Sequence, residues 1–190
     1  MGYPILIIGV ALWWVAHLFK RLMPRLRAAI TARTGEGSRG IFAALLLLAI
    51  VFMSVGYREA EYHWLWLPQP WMYHLNNLLV LIAFYIFGIG MARGELSQKF
   101  RHPMLTGTLI WALAHLMLMG HLAGLILFGG LGLWAVVAMA MINIQEPAWR
   151  PKPPKGGWLR DLVALPIVLL VFWIAGRVHA WLGVNPFGAM

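Results

Sequence analysis

The chain has 190 residues, of which 62% are hydrophobic and only 11% charged, and its mean hydropathy is +0.76. A soluble domain carries about 45–50% apolar residues, so this composition excludes a water-soluble globular protein and predicts an integral membrane protein with little extramembrane mass. The net charge of +9 is explained by basic residues gathered in cytoplasmic loops rather than by nucleic-acid binding, and the lack of cysteine excludes disulfides, iron–sulfur clusters, thiolate zinc sites and c-type haem attachment.

Spanning helices need about 20 consecutive apolar residues. The first such run, from about Tyr3 to Phe19, has neither a basic leader nor a small-residue cleavage site and reads as a retained span. After it, KRLMPRLRAAITAR sets Leu22, Leu26 and Ile30 at helical spacing with Arg25 and Arg27 away from them. This pattern predicts a short helix lying on the inner leaflet. The second span runs from Gly40 to Tyr57 and the third from His74 to Ala92. Between them YHWLWLPQPWMYH is dense in Trp and Tyr, as in an aromatic belt at headgroup level. The fourth span is Pro103 to Met119, the fifth His121 to Ile144 and the sixth Leu162 to Leu182. Residues 144–160 are rich in Pro and Gly and read as irregular.

Of the 15 basic residues, only Arg58 and Arg177 fall outside the first, third and fifth connections. Those three connections therefore face the cytoplasm and both termini lie outside. The fold class is an all-α polytopic bundle of about six transmembrane helices, forming a single integral membrane domain over residues 1–190.

Ionisable groups at membrane depth are expensive, so the histidines carry the functional signal. His63, His74 and His121 fall at outer span ends, where an interfacial position explains them. His102 precedes Pro103, which suits a first helical position, so it either caps the helix, faces headgroups or serves a cofactor. His17, His115 and His179 lie inside spans, where they bond neighbouring helices or act as ligands. Imidazole suits iron, zinc and copper. No carboxylate falls inside the six runs, which excludes a di-iron carboxylate site, and no Glu is placed as the base of a zinc hydrolase. Haem b, held between helices by histidine, fits these residue types best.

Spacing limits the pairing. His102 and His115 are separated by ~20 Å of rise and roughly 220° of rotation on an ideal helix, so they cannot share one iron. By depth, His179 shares the outer half with His115, whereas His17 is nearer the inner half and would pair with His115 only across a cofactor plane tilted between the two depths. Asn76 and Asn77 are expected to bond across helices. GHLAG and the following Gly129, Gly130 and Gly132 form a small-residue face, for helix packing or for approach to a flat cofactor. Arg177 either snorkels to the interface or pairs with a haem propionate.

The segments WWVAHLFKRLMPRLRA, VGYRE, RHPMLTGTLIWALAHL, LILFGGLGLWA and VHAWLGV together resemble the NnrU family, whose relatives include the plant 15-cis-zeta-carotene isomerase. The resemblance covers nearly the whole chain. It implies a bacterial inner-membrane, multi-pass protein linked to denitrification, in support of nitrite and nitric oxide reduction. Its isomerase branch implies haem b and cis–trans isomerisation of a polyene, with axial histidines that fall on His17 and His115. His102 and His179 match further family histidines, and Arg101 adjoins His102 in the same motif. Implied partners are the lipid bilayer, a hydrophobic small-molecule substrate and a membrane reductase complex. A non-enzymatic assembly factor is the competing reading. A third is a membrane methyltransferase using S-adenosylmethionine, because Arg101, His102, Pro103 and Gly107 also match the signature of those enzymes. Leu105 and Thr106 stand where those enzymes carry an aromatic, and only Glu146 stands where they carry an acidic pair.

Overall fold

The computed structural model describes residues 1–151, 153–184 and 186; Lys152, counted above with the third basic connection, lies outside them. Helices α1 (Gly2–Leu22), α2 (Pro24–Thr34), α3 (Gly37–Arg58), α4 (Pro70–Ala92) and α5 (Pro103–Leu118) are followed by α6 (Leu122–Gln145) and α7 (Gly157–Trp181). A 3-10 segment, Glu95–Lys99, follows α4. No strand occurs among the described residues, so the protein is an all-α bundle.

Five helices, α1, α3, α4, α6 and α7, are long and apolar enough to cross a membrane. The expected fourth span is shorter: α5 has 16 residues, about 24 Å of rise against a hydrocarbon core of about 30 Å. It still runs from one end of the bundle to the other. Its first turn bonds the C-terminus of α6, where the His102 ring meets Asn143 at 2.8 Å. At its far end, Trp66 Nε1 donates to the Met117 carbonyl at 3.2 Å.

In space the helices follow the order α3, α1, α6, α5, α4, α7. Glycine makes the two tightest crossings possible. A Cβ on Gly56 of α3 would stand 2.3 Å from the Leu6 backbone nitrogen of α1. One on Gly107 of α5 would stand 2.7 Å from the Ala83 carbonyl of α4. Where lipid tails are as apolar as the side chains, such close approach is the main source of helix association. The glycines of the fifth span serve the same end: Gly130 faces Val10 and Gly132 faces Ala112, and the Gly130 carbonyl accepts a bond from Trp14 Nε1 at 3.0 Å.

The two ends differ in chemistry. At one, Arg21 pairs with Glu146 at 3.1 Å and the Lys155 N–H donates to the Arg93 carbonyl at 2.9 Å. The basic connections therefore share one end. At the other, the aromatic segment after α3 folds over the α5–α6 turn. Leu65 and Trp66 N–H both reach the Gly120 carbonyl, and Leu122 N–H reaches that of His63. Trp64, Leu65, Leu67 and Trp71 stay exposed, as a belt requires. Helix α2 buries none of its residues, consistent with a surface-lying helix, and leaves Leu26 exposed, as is Leu22 at the end of α1.

Three details differ from expectation. His102 occupies the N-cap position of α5 without a side-chain cap bond; its ring is held by Asn143 instead. Asn76 and Asn77 bond each other at 3.2 Å, and Asn77 reaches the Pro186 carbonyl at 2.8 Å, so neither bonds a neighbouring spanning helix. The last helix begins at Gly157 rather than Leu162. It thereby takes in Asp161, a buried carboxylate that accepts the Leu96 N–H at 3.1 Å.

Candidate functional site: histidines between the helices

His17, His115 and His179 share one local geometry. Each ring sets Nδ1 against the carbonyl four residues earlier in its own helix: Trp13 at 3.1 Å, Trp111 at 3.0 Å and Ala175 at 2.7 Å. Helical periodicity stacks residue i over i−4, so this contact comes from the backbone itself. A carbonyl can only accept, so the ring proton sits on Nδ1 and the Nε2 lone pair is left open. Metal-binding histidines are commonly prepared in this way.

His115 sits on α5 beside Trp111 and against Phe128 of α6, with ring centroids 4.9 and 5.0 Å away. Phe128 belongs to a five-residue π segment, Leu125–Gly129, within α6. Such segments recur at functional sites. The His179 ring of α7 faces His115 at 6.5 Å between centroids, with 46° between planes. Two imidazoles with open Nε2 atoms beside aromatic rings are the donor types that would suit a haem iron.

His17 stands apart from this pair. It packs between Trp13 and Trp134, at 4.2 and 4.7 Å, and no ring contact joins it to His115 among the described residues. Trp134 and Phe128 are six positions apart on α6, about 9 Å of rise, so the two histidines lie at different depths. The Nε1 atoms of Trp13 and Trp134 are buried without a partner.

Arg101 and His102 lie at the basic end, away from His115. Arg101 donates to the Glu146 carbonyl. Arg177 and His179 are both exposed at the aromatic end. Among the described residues, no group of three or more His, Asp or Glu side chains could hold a bare metal ion.

His121 shows what sequence reasoning missed. It is 2% exposed, not an interfacial ring. Its Nδ1 accepts the Gly124 N–H at 3.0 Å, which places the ring proton on Nε2, and that N–H donates to Tyr57 Oη at 3.2 Å. Burial holds its pKa below the ordinary 6.5. Tyr57 in turn packs edge-on against Phe128, so His121 braces the wall of the His115 pocket. The visible signal was H-x-x-G at a helix start, which capping reasoning reserves for Ser, Thr, Asp and Asn.

Fold and site together define an all-α membrane protein in which His17 and His115 are half-buried and His179 is exposed, each with its Nδ1 tied to its own helix. The chain belongs to the NnrU family: the family model described as NnrU protein matches residues 5–186. No curated protein and no solved structure matches it.

Proposed function

We propose that this NnrU-family membrane protein binds haem b near its aromatic end, where His115 and His179 would hold the iron. The observation that carries the reading is the facing of these two rings at 6.5 Å, each with Nδ1 tied to its own helix. Haem held there would supply a redox-active iron. The protein's part is to aim two imidazoles, to exclude water with Trp111 and Phe128, and to admit an apolar substrate from the bilayer past the exposed His179. The basic end faces the cytoplasm of a bacterial inner membrane and both termini lie outside. The activity in this reading is either electron transfer in support of nitrite and nitric oxide metabolism, in partnership with a membrane reductase, or cis–trans isomerisation of a polyene such as zeta-carotene.

The test is the visible spectrum of the protein purified in detergent after expression with adequate haem. A Soret band at one haem per chain is expected, and no band refutes the reading. His115→Ala is expected to abolish the band. A wild-type-like spectrum in that variant removes His115 as a ligand.

A further inference from the structure

The basic end carries a cavity of about 500 Å³ between the C-terminus of α4, the N-terminus of α5 and the segment that follows α6. Its volume lies within the range of small-molecule sites, about 300–1,000 Å³. Arg93, Arg101, Arg150 and His102 line it, with Phe100 and Trp149 as aromatic walls. We propose that this cavity binds a phosphate-bearing group.

Four observations support this. The only acid in the lining, Glu146, is already engaged by Arg21 at 3.1 Å, so three guanidinium groups face the space without a free counter-charge. Arg101 uses one terminal nitrogen on the Glu146 carbonyl, while its Nε is buried with no partner. A guanidinium held at one corner with an unsatisfied edge is ready for an oxyanion. Arg93 ends α4 as its left-handed C-cap, with φ 57°, which turns the chain at the cavity edge and keeps its side chain in the lining. Finally, α5 opens beside the cavity without a side-chain cap, so its first N–H groups and positive dipole end add to the same field. The aromatic walls suit an anion attached to an apolar or planar body.

A lipid headgroup and a soluble phosphate compound share this chemistry, and two probes on the detergent-purified full chain separate them. Native mass spectrometry compares phosphatidylglycerol with a diacylglycerol of the same acyl chains. Isothermal titration uses inorganic pyrophosphate. One saturable site per chain is expected for at least one phosphate probe and none for diacylglycerol. Binding of pyrophosphate identifies a soluble ligand, and binding of phosphatidylglycerol alone identifies a headgroup. Arg150→Gln, on an exposed segment that should not disturb folding, and Arg101→Gln each weaken binding about tenfold. Arg101→Lys restores part of the affinity. Arg33→Gln, on exposed α2 away from the cavity, leaves it unchanged. The proposal is overturned if neither phosphate probe saturates at one per chain, or if Arg33→Gln weakens binding as much as Arg150→Gln. The site is independent of haem, so its failure and that of the haem reading are read separately.

Discussion

Replacing His121 by Ala removes the centre of the aromatic-end cap. The wild-type ring accepts the Gly124 N–H and donates to Tyr57 Oη, and it packs against Tyr62 and Trp64 at 4.6 and 5.2 Å. Truncation leaves the N–H of buried Gly124 without an acceptor, at a cost of about 1–3 kcal/mol. Loss of the Tyr57 bond and of the ring contacts brings the total to roughly 2–4 kcal/mol. The assay is reversible unfolding of the detergent-solubilised protein by sodium dodecyl sulfate. The pH dependence has a fixed sign. Because the folded-state pKa of His121 lies below 6.5, the unfolded chain takes up the extra proton first. The stability due to neutral His121 is therefore complete above pH 6.5 and lost as pH falls below it. Protonation would put a proton on Nδ1 and eject the Gly124 N–H. Wild type should weaken on acidification and His121→Ala should lose the part of that slope that His121 contributes. A variant within 0.5 kcal/mol of wild type at pH 8, or one that keeps the full acid slope, refutes this account of His121.

The histidine pairs are separable by spectroscopy. His179→Ala is expected to shift the haem band and to be rescued by added imidazole, whereas His17→Ala leaves it in place; the opposite result assigns the family pair, His17 and His115. At the α1–α3 crossing, Gly56→Ala should destabilise by about 1–3 kcal/mol because its Cβ meets Leu6 backbone. Gly40→Ala, where nothing lies within 4 Å, should be neutral or stabilising by up to about 1 kcal/mol; equal effects in unfolding titrations would discard the packing argument. Asp161→Ala strips the acceptor from the Leu96 N–H, so hydrogen exchange across Glu95–Lys99 should accelerate, and unchanged protection would show that the carboxylate does not hold this segment.

Much of the fold was legible because a bilayer leaves so few solutions. Twenty-residue apolar runs must be helices, and alternating basic loops must share a side. Span ends were less legible. Gly157–Arg160 look like loop by composition, yet they form the first turn of α7 and carry Asp161 into the interior. Of the site, sequence identified His17, His115 and His179 by their cost at membrane depth. The Nδ1 contacts were also implicit, since i to i−4 proximity belongs to any helix.

Sequence alone determined the class of molecule, the approximate course of its helices and the residue types able to hold a cofactor, because hydropathy and periodicity are local properties. Only the tertiary structure decided which imidazoles meet. His115 and His179 are 64 positions apart in the chain, and nothing local states that α7 packs on α4 so that its last turns reach α5. The same holds for His121. Its burial follows from the aromatic segment folding over the α5–α6 turn, a long-range closure that no pattern around residue 121 contains.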